Sequence, residues 1–164
     1  MTKKIVSTFA GLARDKPLIM GIVNVTPDSF SDGGETLKAE HAVTRGLAFR
    51  DQGADILDVG GESTRPGAAP VSIDEELNRV IPVVRGLADA GATVSVDTRH
   101  AQVMTAAVEA GAKIINDVTA LTGDPNSLDA AAKSGAAVIL MHMRGEPGTM
   151  QDDPVYEDAA LEVR

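Results

Sequence analysis

The sequence predicts an α/β fold in which parallel strands alternate with helices. Four Gly-Ala pairs each precede a short β-branched run, and amphipathic stretches of helical length separate those runs. Apolar residues make up 43% of the chain but aromatic residues only 2%. The core must therefore be built from Ala, Val, Ile and Leu, which suit tight packing of helices on a sheet. We expect one domain, residues 1–164, with about five βα units.

The elements follow from these patterns in chain order. Five strands are predicted, the first without a Gly-Ala lead: Leu18–Val25, Asp55–Val59, Thr93–Val96, Lys113–Ile115 and Val138–Met141. The Gly of each Gly-Ala pair is expected to end a helix. Four helices are predicted between the strands: Thr36–Gln52, Ile73–Ala90, His100–Ala110 and Asn126–Ser134. A further amphipathic helix is expected within Pro154–Arg164.

Two architectures share this alternation, an open doubly wound sheet and a closed eight-stranded barrel. A length of 164 residues favours the open sheet, because a complete barrel needs about 250 residues. The polar residues favour the barrel, since all five strands end in polar groups and a barrel gathers such ends at one mouth. These groups are Asn24, the run from Asp58 to Glu62 with Arg65, Asp97, Asn116 with Asp117, and His142 with Arg144.

Charge and composition exclude several classes of function. A formal net charge of −9 argues against nucleic acid or an anionic membrane surface as the main partner. The chain has no Cys and only three scattered His, which argues against disulfides and against a zinc site. No apolar run approaches the roughly 20 residues that span a bilayer, and the amino terminus has no signal-peptide core. We expect a cytoplasmic protein.

Two polar loops carry the strongest chemical pattern. The loop from Asn24 to Gly34 places Phe30 among hydroxyls and carboxylates, where an aromatic side chain is typical of a ligand contact. In the second loop, Gly60 and Gly61 would let the backbone approach a ligand, and the Thr64 hydroxyl and Arg65 guanidinium suit phosphate oxygens. The alternative interpretation of both loops is a turn or a helix cap facing solvent.

Five segments together resemble the dihydropteroate synthase family. They are Asn24–Gly34, Gly61–Gly67, Ser95–Thr98, Ile115–Val118 and Leu140–Gly145. The resemblance implies a (β/α)8 barrel of the TIM type. It also implies Mg²⁺-assisted condensation of 6-hydroxymethyl-7,8-dihydropterin diphosphate with 4-aminobenzoate, which gives 7,8-dihydropteroate and pyrophosphate. The family is a sulfonamide target, and its full-length members are expected to be homodimers.

The resemblance implies roles for residues of the first two loops. Asn24 resembles the asparagine that is associated with magnesium, and its amide oxygen is a hard neutral ligand. Thr64 and Arg65 resemble the residues near the diphosphate and the aminobenzoate, where a cation stabilises the leaving group. Phe30 and Pro66 would wall the aminobenzoate site.

The pterin contacts implied by the resemblance lie on the later strands. Asp97 would accept from the pterin amino group and ring N–H, with an ion pair to Arg99 as the alternative. Asn116 would add a donor and an acceptor at the same ring edge, and Met141 would form an apolar wall unless it is core filler. Asp117 is expected to make a structural hydrogen bond. A core role and a pocket role both stay open for His142, and Arg144 has no assigned role.

The family pattern extends beyond this chain, which matches about five of its eight βα units. The later strands of the family carry a further aspartate, a lysine, an arginine and a histidine of the site. We therefore expect this chain to be an amino-terminal fragment, and whether the fragment is active by itself is left open. The alternatives are a pterin-binding methyltransferase-type domain and a pterin-binding chain without catalysis.

Overall fold

The computed structural model describes residues 7–25, 35–62, 71–145, 149–150 and 153–163. Two short strands, β1 (Thr8–Phe9) and β2 (Leu12–Ala13), form an antiparallel pair that the sequence patterns did not predict. The main sheet is parallel and has five strands: β3 (Met20–Asn24), β4 (Ile56–Gly60), β5 (Val94–Asp97), β6 (Ile114–Asp117) and β7 (Ala137–Leu140).

The strand order decides between the two predicted architectures. Within the described residues, each strand of the main sheet pairs with the next one along the chain, in the order β3-β4-β5-β6-β7. A doubly wound sheet reverses its order at a switch point, and this sheet does not. The open doubly wound alternative is therefore wrong, and the arrangement is that of consecutive βα units in a (β/α)8 barrel.

The helices occupy the predicted positions. They are α1 (Glu35–Asp51), α2 (Ile73–Asp89), α3 (Ala101–Glu109), α4 (Ser127–Ser134) and the short α5 (Ala159–Glu162), which is all that forms of the helix expected within the last residues. The glycines of the four Gly-Ala pairs have φ between +69° and +111°, a conformation that ends helices and that suits glycine. None of the helices in the described ranges is both long and apolar enough to cross a bilayer.

The hydrophobic core lies between one face of the sheet and the helices. Alternate residues along each strand share a face. On the outer face, residues of β3 to β6 join one cluster with side chains of α1 to α4. The buried strand residues of that cluster are Val23, Leu57, Val59, Val94, Val96 and Ile115. This burial leaves the other residues of the same strands on the inner face.

The inner face is exposed only in part. Ile22, on the edge strand β3, is 49% exposed, whereas its register partner Asp58 on β4 is 2% exposed. Ser95 and Ile114, on the next two strands, are fully buried. The inner face is therefore exposed at the edge strand and buried at the centre of the sheet.

Gly61 allows α2 to lie close to the end of β4. A Cβ atom on Gly61 would lie 2.7 Å from Val80 Cγ2 and 3.1 Å from Glu76 Cγ, and both neighbours are fully buried in α2. At Gly60 the nearest atom to such a Cβ would be Asp97 Oδ2 at 3.4 Å, an ordinary contact. Helix packing therefore requires the second glycine of the pair, which the sequence had suggested for a ligand.

These contacts predict different costs for two adjacent substitutions. Gly61→Ala should lower the free energy of unfolding by about 1–3 kcal/mol, because Val80 is stiff at χ1 and has no room to move. Gly60→Ala, the matched control, should change stability by less than about 1 kcal/mol. Urea unfolding of the two variants beside the wild type measures both. Equal stability of Gly61→Ala and the wild type would contradict the packing argument.

Candidate functional site

A row of chemically distinct residues crosses the carboxyl ends of four neighbouring strands. Asn24 on β3 pairs in register with Gly60 on β4, Gly60 with Asp97 on β5, and Asp97 with Asn116 on β6. Register partners in a parallel sheet lie side by side about 4.8 Å apart, with their side chains on the same face. The prediction that the polar strand ends meet at one edge is confirmed for Asn24, Asp97 and Asn116. We call these four residues the edge row.

Asp97 holds the central charge of the edge row. Burial, together with the nearby negative charges of Asp58, Glu76, Asp117 and Glu62, raises the pKa of Asp97 to about 7. No hydrogen bond or ion pair among the described residues engages the Asp97 carboxylate, which stands over the space left by Gly60. An acceptor in this state favours a ligand that brings hydrogen-bond donors.

The ion pair considered for Asp97 does not form. Arg99 instead makes a two-pronged contact with Glu62, with Nε 3.1 Å from Oε2 and Nη2 3.0 Å from Oε1. Glu62 Oε1 also accepts from the Val71 backbone N–H at 3.4 Å. The alternative role for Asp97 is therefore wrong, and the nearest candidate cation is committed elsewhere.

A second carboxylate lies beneath the edge row. Asp58 is 2% exposed, and its Oδ2 accepts a hydrogen bond of 3.0 Å from Nδ2 of Asn116. Burial raises the pKa of Asp58, while the nearby hydroxyl of Ser95 and the hydrogen bond from Asn116 oppose that shift. Its other oxygen, Oδ1, and the hydroxyl of the neighbouring Ser95 have no hydrogen-bond partner in the described structure. Sequence analysis placed Asp58 among the polar strand ends but assigned it no role.

Asp117 organises the loop after β6. Its fully buried carboxylate accepts from the backbone N–H and the hydroxyl of Thr119, both at 2.7 Å, and from the Leu121 N–H at 3.0 Å. These bonds hold Ala120 and Leu121 at φ of +52° and +64°, a conformation that non-glycine residues rarely adopt. The prediction of a structural hydrogen bond at Asp117 is confirmed.

A buried pair joins α2 to the start of α3. Glu76 is fully buried, and its Oε2 lies 2.6 Å from Nδ1 of His100. The sequence predicted that α3 begins at His100. In the structure α3 begins at Ala101, and His100 precedes it as the N-cap residue. Arg79 of α2 also donates to the Gly61 carbonyl at 3.1 Å. These contacts fix α2 and the β5–α3 connection relative to the end of β4.

Of the remaining predicted residues, Met141, His142 and Arg144 lie within the described ranges and four others do not. Met141 follows β7 directly, is half-buried, and donates its N–H to the Asp117 carbonyl at 3.2 Å. His142 is exposed and lies 3.1 Å from the Tyr156 hydroxyl, so a core role for it is wrong. Arg144 stacks on the same tyrosine ring at 4.8 Å. The predicted residues Phe30, Thr64, Arg65 and Pro66 lie outside the described residues.

Comparison with known proteins gives a consistent set of relatives. Residues 20–164 match the model of a family described as pterin binding enzymes. The dihydropteroate synthase of Escherichia coli K12 is 52% identical over 148 residues, which are 90% of this chain and 52% of that protein. This chain spans about half the length of the curated relatives it matches.

Solved structures show the same likeness in three dimensions. The chain superimposes on a Yersinia pestis dihydropteroate synthase, in a sulfonamide drug complex, with a TM-score of 0.84 and 48% identity, covering 97% of this chain and 58% of that one. It superimposes on the Xanthomonas albilineans enzyme with 4-aminobenzoic acid at a TM-score of 0.81 and 54% identity, covering 94% and 55% of the two chains.

The raised pKa of Asp97 predicts a pH-dependent stability with a definite sign. From its ordinary value of 3.8 up to about 7, the unfolded chain has lost a proton that the folded chain keeps, so stability falls as the pH rises. Asp97→Asn should remove this loss of stability. Its free energy of unfolding should exceed that of the wild type by roughly 2–3 kcal/mol at pH 8 and should show no gain at pH 4. Urea unfolding at both pH values measures the difference.

Asp55→Asn is the control of opposite sign. The Asp55 carboxylate accepts from the Ile19 N–H at 2.9 Å, and this bond lowers its pKa. Its contribution to stability is therefore present above its ordinary pKa and lost as the pH falls. If the two substitutions gave the same pH trend, the burial argument for Asp97 would be wrong.

Proposed function

This chain belongs to the pterin-binding enzyme family, and on that basis we propose that it supplies the pterin-binding part of a dihydropteroate synthase. The proposed reaction joins 6-hydroxymethyl-7,8-dihydropterin diphosphate to 4-aminobenzoate and releases pyrophosphate, with 7,8-dihydropteroate as the product. The observation that carries the proposal is the edge row, in which an unpaired Asp97 and an oriented Asn116 lie side by side on β5 and β6. The relatives with the same fold are dihydropteroate synthases.

The edge row suits the hydrogen-bonding edge of a pterin. The 2-amino group and the adjacent ring N–H are two parallel donors, which one carboxylate accepts together. Asp97 is the acceptor for them in this proposal, and Asn116 bonds the next groups along the ring. Met141, beside the end of β6, is proposed as an apolar wall of the same pocket.

The charges along the edge row favour one orientation of the bound substrate. At the carboxyl ends of the strands, Asp97 on β5 and Asp117 on β6 carry negative charge, while Asp58 lies two residues before the end of β4. Asn24 and Gly60, on β3 and β4, are neutral. A diphosphate is repelled from the acidic end, so we place the pterin over β5 and β6 and the diphosphate toward β3 and β4. Thr64 and Arg65, whose loop follows β4, are proposed to contact the diphosphate there.

The chemistry asks for positioning rather than for a strong base. The arylamine attacks the methylene carbon of the pterin as the C–O bond to the diphosphate breaks, and the amine proton leaves to solvent. The pterin donates electron density to the carbon while the charge of the leaving group grows. Arg65 is proposed to stabilise that charge, and Phe30 and Pro66 to hold the aminobenzoate ring in line.

Asn24 fits one position of a Mg²⁺ site. It ends β3 with an exposed side chain, and its neighbour Gly60 leaves space beside it. No group of three or more His, Cys, Asp or Glu in the described ranges is placed to hold a metal. We propose the Asn24 amide oxygen as one protein ligand, since a neutral oxygen suits an ion that keeps water and binds phosphate oxygens. Mg²⁺ bound there would neutralise the diphosphate.

A second candidate function is pterin binding without catalysis. The edge row lies wholly within this chain, while the chain spans about half of its relatives. The edge row can therefore contact a pterin with residues that this chain contains, whereas turnover in the relatives draws on a longer protein. A methyltransferase-type domain is not favoured, because the relatives quoted above are dihydropteroate synthases.

A direct assay separates these functions. The 164-residue chain is titrated with the pterin diphosphate, then mixed with 4-aminobenzoate and Mg²⁺ while pyrophosphate is followed. We expect saturable pterin binding that weakens about tenfold or more in Asp97→Ala. Release that requires both substrates supports synthase activity of the chain itself, and binding without release supports the second candidate. A folded chain that binds no pterin would refute both.

The Mg²⁺ proposal has its own test. Asn24→Ala should reduce the gain in affinity that Mg²⁺ gives to the pterin diphosphate by about tenfold, because one metal ligand is lost. Affinity for the pterin without diphosphate should stay unchanged. Asn78→Ala, an exposed position on α2, is the control. Equal Mg²⁺ dependence in all three proteins, measured by calorimetry, would remove Asn24 from the metal site.

A further inference from the structure

Asp58 and Asn116 meet across an intervening strand. Asp58 lies on β4 and Asn116 on β6, two strands apart, a separation of about 9.6 Å in a flat sheet. Their side chains nevertheless lie 3.0 Å apart, both leaning over the small, fully buried Ser95 of β5. The contact therefore depends on the inward curvature of the sheet and on a small residue at the centre.

The chemistry of the pair fixes which way the carboxamide points. Asn116 Nδ2 donates to Asp58 Oδ2, so the NH₂ group of the carboxamide faces the carboxyl group and its carbonyl oxygen faces away. The Asn116 oxygen and one N–H then remain for other partners. A carboxamide held by a buried charged acceptor is a stronger and more rigid contact than one held by water.

We propose that Asp58 is a positioning residue, which orients Asn116 so that its carbonyl oxygen is presented to the ligand at the edge row. The inference rests on the proposed pterin-binding function and names a residue that acts through Asn116 rather than by touching the ligand. It follows that the favoured ligand donates a hydrogen to Asn116 beside the donors it gives to Asp97. Among the described residues Asp58 Oδ1 has no hydrogen-bond partner, so the carboxylate is buried at a cost that its bond to Asn116 offsets only in part.

Two substitutions separate positioning from simple structural support. Asp58→Leu keeps the branched shape of the side chain with larger terminal groups and removes the acceptor, while Asp58→Asn retains an oxygen that can accept from Asn116. Replacement of a poorly satisfied buried carboxylate by an apolar side chain is expected to leave the thermal midpoint equal or higher. Asn78→Ala, at an exposed position on α2 away from the pair, is the control.

Binding is measured with 6-hydroxymethyl-7,8-dihydropterin by calorimetry, in the full 164-residue chain. We expect Kd to rise about tenfold in Asp58→Leu, to change less than about threefold in Asp58→Asn, and to stay at the wild-type value in Asn78→Ala. If Asp58→Leu does not fold, Asp58→Ser takes its place, since its hydroxyl is too short to reach across β5. Loss of affinity in proportion to loss of thermal stability would overturn the positioning role.

A readout without ligand keeps this proposal distinct from the proposed function. The side-chain amide signal of Asn116, identified by its loss in Asn116→Asp, should show slow hydrogen exchange in the wild type and in Asp58→Asn. Exchange should be about tenfold faster in Asp58→Leu. Equally fast exchange in the wild type would overturn the role of Asp58 whatever the chain binds. Slow exchange in a chain that binds no pterin would refute the proposed function and leave the positioning of Asn116 intact.

Discussion

The shared register of β3 to β6 is the constraint on which the edge row depends. It is set on the opposite face of the sheet, where Leu57, Val59 and Val96 are buried against the helices. A slip of one residue in β4 would turn Leu57 and Val59 toward the inner face and drive Asp58 into the apolar core. Hydrophobic burial on one face therefore aligns the polar residues on the other.

The small residues of the inner face complete that alignment. Gly60 leaves the space into which the Asp97 carboxylate leans, and Ser95 lets Asp58 and Asn116 meet above β5. A larger side chain at either position would separate polar groups that the register alone brings only to neighbouring strands. The edge row thus depends on strand pairing and on the small size of Gly60 and Ser95.

Periodicity and glycine placement made most of the fold predictable. Every predicted strand and the four main helices occur within two residues of their expected ends, because each Gly-Ala pair marks a helix end followed by a buried strand. The meeting of Asn24, Asp97 and Asn116 also followed, since parallel strands share their carboxyl edge. The β1–β2 pair was missed because two-residue strands carry no periodic signal.

What could not be predicted depends on distances between strands and on the choice among partners. The sequence places Arg99 two residues after Asp97, which suggested that the two would pair. In the structure the guanidinium meets Glu62, from the end of β4. The contact between Asp58 and Asn116 needs the curvature of the sheet, which no spacing along the chain encodes. Likewise, the close packing of α2 against Gly61 is a tertiary contact, which the local sequence does not reveal.

The pairing of Arg99 with Glu62 has a consequence for the site. If the guanidinium were bound to Asp97, its charge would lower the pKa of that carboxyl, and a ligand would have to break an ion pair before binding. Since Glu62 holds Arg99, Asp97 keeps a pKa of about 7 and its acceptor oxygens remain available. The cost of holding an unpaired carboxylate in this position falls on the folded chain. A ligand that brings two donors relieves that cost when it binds, so part of its affinity is stored in the unliganded protein.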